Sequence, residues 1–284
     1  FRMRDRSSQW ADGQPGGFGK HSLLEGPCFD RHGNLYVVDI PYGRIFRVNP
    51  EGGWTLVVEY DGEPNGLKFH RDGRGFVADY KNGVMQLDAV NGHVRPYLTR
   101  HKLEHFKALN DLTFASNGDL FFTDQGLTGM HDPTGRVFRL RADGRLDCLL
   151  DNVPSPNGLV LDLDERTLFV AVTRANAIWR VPLIGEGVAK VGVFIQLSGG
   201  IGPDGITIDE EGNLAVCHIG MGCVWLFNRR GEPLYRVQSC VGAHTTNVCY
   251  GGADRRWMYV TEAETGSIIR AHMPTPGRVP FGLT

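Results

Sequence analysis

Six small polar residues recur along the 284-residue chain at one register of a repeated strand: Glu25, Asn65, Asn110, Asn157, Asp204 and Thr246. Four places on, each is followed by a bulky apolar residue: Phe29, Phe69, Phe114, Leu161, Ile208 and Tyr250. If the repeat winds around an axis, the six positions converge. Two carboxylates and three carboxamides at one point make an oxygen-rich cage, the donor type a hard divalent cation prefers. Two acids among neutral amides balance a dication without accumulating repulsion. The ring has no soft ligands, which argues against copper or an iron–sulfur centre. One divalent metal ion is therefore the expected cofactor. Calcium fits best on ligand type; magnesium, manganese, zinc and ferrous iron are the alternatives.

The elements that must position this ring are legible in the same repeat. Each unit reads as a short apolar strand, a turn rich in Asp, Asn and Gly, and a second strand, as in Gly26-Pro27-Cys28-Phe29 followed by Leu35-Tyr36-Val37-Val38-Asp39. β-Branched and aromatic runs separated by such turns are strand signals. The ring positions are spaced 40, 45, 47, 47 and 42 residues apart, a period that fits one four-stranded blade per repeat. The expected fold is all-β: a six-bladed β-propeller forming a single domain over 1–284, with blades at about 25–62, 63–108, 109–154, 155–202, 203–244 and 245–277. The last unit is short of a strand, and the segment around Lys20 to Leu24 is expected to supply it and close the ring.

A second ring, Asp39, Asp79, Asp124, Val172, His218 and Glu262, ends the second strand of each unit. Antiparallel pairing places it at the same face as the first. Asp and Asn are common at strand ends because they make turns, so a turn or hydrogen-bonding role is the leading reading for this ring. The formal charge of −2 and pI near 6.6 offer no basic face for nucleic acid. No apolar run reaches the ~18 residues that suggest a membrane span, and the opening Phe1–Arg6 lacks the apolar core of a signal peptide. Six cysteines without a CxxC pair read as buried, reduced thiols and favour the cytoplasm. The partner expected is a small-molecule substrate; the assembly state is not written in the sequence. No G-x-S-x-G elbow or nucleotide-type glycine cradle is present.

Glu25-Gly26-Pro27, Leu109-Asn110-Asp111, Pro156-Asn157-Gly158-Leu159 and Pro203-Asp204-Gly205 resemble the motifs of the senescence marker protein/gluconolactonase (regucalcin-like) family. Thr246-Asn247-Val248, with Gly251-Gly252 and Tyr259-Val260-Thr261-Glu262, is similar to its last blade. The resemblance runs from about Leu24 to Pro274. It implies a six-bladed propeller with a divalent metal on its axis and hydrolysis of lactones, often sugar lactones. It carries Glu25, Asn157 and Asp204 over as metal ligands, and Asn110 as a residue near metal and substrate that could itself be a ligand. Relatives acting on sugar lactones place an arginine two residues before the third-blade Asn, where this chain has Ala108, and a substrate-contacting glutamate near the position of Thr128. The loop from Asp124 to Asp132 looks more like bacterial branches with another substrate loop, so the metal site is better supported than a sugar substrate. Thr128, Met130, His131, His218 and Met221, with Asn110, are the candidate substrate contacts.

The chemistry expected is metal-assisted lactone hydrolysis by water, with Asp204 as ligand and candidate general base and Asn110 orienting substrate. The alternatives are a non-catalytic metal-binding propeller, or a metal-dependent phosphotriesterase, lyase or isomerase acting on a ring substrate.

Overall fold

The structure, a computed structural model, describes residues 8–12 and 22–284. It is a six-bladed β-propeller. Blade one comprises Leu24–Phe29, Leu35–Asp39, Arg44–Val48 and Trp54–Glu59; blade two, Pro64–Phe69, Gly75–Asp79, Gly83–Asp88 and His93–Leu98. Blade three comprises Leu109–Phe114, Leu120–Asp124, Gly135–Leu140 and Leu146–Val153. Blade four runs through Pro156–Leu161, Thr167–Val172, Ala177–Ile184 and Gly192–Gln196; blade five, through Gly202–Ile208, Leu214–Ile219, Cys223–Phe227 and Pro233–Gln238. Blade six has three described strands, Thr245–Gly251, Trp257–Glu262 and Ser267–His272. The first strand of each blade packs against the first strand of the next, and that of blade six against that of blade one, so the ring is closed at the axis.

The expected closing strand divides between two regions. Lys20 and His21 lie outside the described residues. Leu24 pairs with Asp39, and the Leu23 carbonyl accepts from Ile40 N at 3.2 Å, so this end of the segment serves blade one. A hydroxyl also seals the seam: Thr246 Oγ1 donates to the Leu24 carbonyl at 2.9 Å. The short helix Gln9–Asp12 precedes the ring, and its Trp10 packs on Leu23, Ile40 and Ala263.

Strand alternation divides the core into slabs between blades. In Leu35–Asp39, Leu35 and Val37 face blade six while Tyr36 and Val38 face blade two. In Thr167–Val172, Leu168 and Val170 face blade three while Phe169 and Ala171 face blade five. Because both faces are covered, these strands read as unbroken apolar runs. Six such clusters, one at each junction, hold the ring together.

Each innermost strand breaks its pairing at the same place. Register shifts fall between Glu25 and Cys28, Pro64 and Gly66, Leu109 and Leu112, Pro156 and Leu159, Pro203 and Ile206, and Thr245 and Val248. One extra residue is inserted each time, which is a β-bulge. Five of the six polar ring residues sit inside these bulges, and Glu25, paired with Val38, sits at the edge of its own.

Candidate functional site

The bulges leave Glu25, Asn65, Asn110, Asn157, Asp204 and Thr246 all buried. The backbone must come very close at the axis. A Cβ on Gly158 would lie 2.6 Å from the Asp204 carbonyl, and one on Gly205 would strike the Asn247 side chain at 2.2 Å. Glycine at the second bulge position is thus a packing requirement. Blades three and six place Asp111 and Asn247 there instead. The Asn247 amide donates to Glu25 Oε2 at 2.8 Å and to Asp111 Oδ2 at 3.2 Å, tying opposite sides of the channel together. Asp111 Oδ1 also accepts from Leu112 N at 2.8 Å.

Glu25 and Asp204 occupy one electrostatic environment. Burial, then the Asp204 and Asp111 charges, push the Glu25 pKa well above the carboxylate range, against hydrogen bonds from Gly26 N and Asn247. Burial pushes Asp204 to about 8, with Asp111 adding to the rise and Asn157 and Arg174 opposing it. Beside them, Asn157 Oδ1 and Asn65 Oδ1 are buried without a hydrogen-bond partner. Among the described residues no three His, Cys, Asp or Glu side chains gather at metal-binding spacing. What gathers is two acids with amide oxygens. Orphaned amide oxygens next to mutually repelling carboxylates, all hard donors, fit a dication.

The other predicted residues fall into distinct places. Thr246 spends its hydroxyl on the Leu24 carbonyl and on Thr261. Asn110 joins a chain at the mouth: its amide donates to Gln125 Oε1 at 3.0 Å and to the Tyr80 hydroxyl at 3.5 Å. Tyr80 also donates to Gln125 Oε1, and Gln125 Nε2 donates to Ser155 Oγ at 2.9 Å. Thr128 braces this chain, donating to the Gln125 carbonyl at 2.6 Å and accepting from Ser155 N at 3.0 Å. Ser155 is held at a left-handed φ of 66°, buried between two prolines. Met130 and His131 are exposed on the same loop, and Met221 is half-buried beside Gly199 and Gly200. His218 is buried with both ring nitrogens engaged: Nε2 on the Gly199 carbonyl at 3.0 Å, Nδ1 accepting from Trp225 Nε1 at 3.3 Å.

The second ring is structural. Asp39 accepts from Leu23 N at 2.7 Å and pairs with Arg44; Asp79 accepts from Tyr60, Glu63 N, Lys81 N and Asn82 N. Asp124 accepts from Ala108 N and pairs with Arg136, and Glu262 accepts from His244 N, Glu264 N and Thr265 N. All six cysteines are free thiols, but Cys148 and Cys240 are exposed, against the expectation of general burial.

Asp111, Asn247, Tyr80, Gln125 and Arg174 join the site without being among the candidates the sequence offers. Asp111 and Asn247 carry a visible signal, since they interrupt the glycine that follows the ring residue in the other four blades. Tyr80 and Gln125 directly follow second-ring carboxylates. Arg174, exposed in the turn Thr173–Ala175, carries no such signal.

With this geometry in view, comparison with known proteins is specific. Residues 23–264 match the family model described as the SMP-30/gluconolactonase/LRE-like region. The chain belongs to this family. The lactonase drp35 of Staphylococcus aureus is 34% identical to this family member, over 75% of this chain and 69% of the relative. Among solved structures, a gluconolactonase from Xanthomonas campestris superposes with a TM-score of 0.79 at 21% identity, covering 90% of this chain and 86% of that one. The calcium-binding protein regucalcin from Agrobacterium tumefaciens gives 0.79 at 22% identity, covering 91% and 92%. These structural likenesses establish the shared propeller.

Proposed function

We propose that this protein hydrolyses a lactone, a sugar lactone or another small cyclic ester, with one divalent cation, calcium by preference, held in the axial ring. The reading rests on one observation: Glu25 and Asp204 are buried together beside partnerless amide oxygens, within a family whose named relatives include lactonases. Glu25, Asn157 and Asp204 would hold the ion, with Asn110 at its edge. A bound dication supplies Lewis acidity, polarising an ester carbonyl and making water acidic enough to attack.

The chain's own residues supply the rest. Burial holds Asp204 near pKa 8 in the metal-free chain, and a bound cation would lower it, leaving a carboxylate able to accept a proton. It would take the proton of the attacking water. Asn110 cannot swing freely, because Gln125 and Tyr80 fix its amide; it would orient the ring ester. Arg174 has no ion-pair partner among the described residues and lies near enough to lower the Asp204 pKa. It would attract the carboxylate that hydrolysis releases. Asn247 holds Glu25 so that its second oxygen stays available to the channel.

The test is a panel of sugar and aliphatic lactones assayed after exhaustive chelation and again after adding calcium, magnesium, manganese or zinc. Turnover should vanish with chelation and return with one ion. Glu25→Gln and Asp204→Asn should each lose it while still folding. Hydrolysis that persists in metal-free protein, or at wild-type rate in both variants, would overturn the reading.

A further inference from the structure

The channel has a second chamber at its opposite end. Three residues beyond the polar ring, the inner strands contribute Cys28, Lys68, Thr113, Val160, Thr207 and Cys249. All of them border a cavity of about 330 Å³, whose wall is otherwise largely apolar and includes the rings of Phe29, Phe69 and Phe114. The C-terminal segment crosses this face as a strap. Its Arg278 N donates to the Ile208 carbonyl at 3.1 Å, Arg278 also reaches the Asp162 carbonyl at 3.1 Å, and Phe281 packs beneath Phe114 and His70.

Lys68 and Tyr250 are among the polar groups of this chamber that lack partners. Lys68 forms neither a hydrogen bond nor an ion pair among the described residues. The Tyr250 hydroxyl is buried and unbonded, on a side chain 7% exposed that borders the same space. A buried phenol is costly unless something accepts from it, and the half-buried Lys68 ammonium is left free to meet an anion. The thiols and acids nearby do not answer either. Burial raises both thiols, Cys28 to about 12, so they stay neutral. Glu165 is taken by Arg278 and by Ser116, and Asp111 by Leu112 N and Asn247. Burial opposes charge on Lys68, yet the field of Asp111 and its neighbours leaves its pKa raised. The chamber therefore holds a cation, a spare donor and an apolar wall, and the one carboxylate side chain on it, Glu165, is already paired.

We propose that this distal chamber binds a small monocarboxylate with an apolar body, its carboxylate on Lys68 and the Tyr250 hydroxyl and its body against the phenyl rings. The volume lies at the lower end of the range of small-molecule sites. Arg71 and Arg278 border the same cavity, Arg278 paired with Glu165 and Arg71 laid over the Phe281 ring, so Lys68 is the cation left to meet a carboxylate, and a neutral lipid would leave it unsatisfied. The site is separate from the polar ring and does not depend on the reaction assigned to it.

Calorimetric titration with decanoate and with decan-1-ol, both kept below aggregation and in the presence of chelator, tests this. Wild-type protein should bind one decanoate per chain, about ten-fold or more tighter than decanol, as a charge-assisted contact requires. Lys68→Met should abolish that preference while still binding decanol; Lys68→Arg should restore it to within a few-fold. Glu25→Gln should leave decanoate binding unchanged, because the polar ring is not the site. Should Lys68→Met not unfold cooperatively, Tyr250→Phe provides a milder test, with decanoate weakened about three-fold and decanol unaffected. No saturable decanoate binding, equal affinity for acid and alcohol, wild-type binding in Lys68→Met or in Tyr250→Phe, or loss of binding in Glu25→Gln would each overturn the proposal.

Discussion

Replacing Asp204 by Asn should make the metal-free protein more stable near pH 8 even as it removes cation binding. In the folded chain burial holds this carboxyl near pKa 8, against an ordinary value of 3.8. A raised acid keeps its proton in the folded state after the unfolded chain has released it. Its contribution is therefore fully present below about pH 4, falls progressively as pH rises, and is gone above about pH 8. The slope within that window is at most about 1.4 kcal/mol per pH unit for one proton. Glu25 shares the titration, so the pair sets the profile. From pH 6.0 to 7.5 the metal-free wild type should lose about 2 kcal/mol, or several degrees of melting temperature for a chain of this size. Thermal unfolding in chelator at the two pH values, on wild type and Asp204→Asn, measures this. Comparing the two proteins cancels the histidines, which titrate in the same range in both. Adding calcium should stabilise the wild type by about 2.7 kcal/mol at a hundred times its Kd and leave the variant unmoved. An unchanged pH slope in Asp204→Asn, or a wild type that no dication stabilises, would refute the electrostatic account of the ring.

Three further outcomes follow from named contacts. Asn247→Ala removes the hydrogen bonds to Glu25 and Asp111; calcium titration should show affinity about ten-fold weaker, and denaturant unfolding a loss of about 1–3 kcal/mol. Asp39→Ala removes the carboxylate that pairs with the fully buried Arg44; it should cost about 3–5 kcal/mol in unfolding yet leave calcium affinity unchanged, since this carboxylate is spent on Arg44 and the Leu23 amide. Arg174→Ala removes a charge that lowers the Asp204 pKa, so the rising limb of the pH–rate profile should move to higher pH.

Much of the propeller could be read from the sequence because its second strands are covered on both faces and so appear as apolar runs at a regular period. The polar ring was legible for a related reason: six equivalent positions share one register. Partners that depend on tertiary distance were not. Asp39 and Glu25 are both acids near strand ends, and the sequence does not show which groups each meets. Folding does: Asp39 meets backbone amides and an arginine, whereas Glu25 meets another carboxylate. His218 reads as a mouth residue, and the sequence does not show that Trp225, two strand positions across the hairpin, donates to its ring. Arg174 lies in a turn whose sequence says nothing about facing Asp204.

The bulge is the device that lets one strand serve both a core and a site. In a regular strand, residues three apart lie on opposite faces. Yet Leu109 and Leu112 both pack into the slab between blades two and three. That is consistent only with an extra residue between them, and the pairing shows one. The inserted pair, Asn110 and Asp111, is thereby released from the alternation that fills the slabs and can turn toward the axis. Because every blade carries the insertion, the polar groups of all six meet without removing an apolar residue from any junction. The same arithmetic separates the ends of the channel. The ring and the residue after it carry acids and amides at one end, and the residues beyond the bulge carry Lys68 and neutral side chains at the other. A chain that inserts one residue per blade thus builds a channel whose two ends differ in charge, with acids and amides at the first and Lys68 at the second.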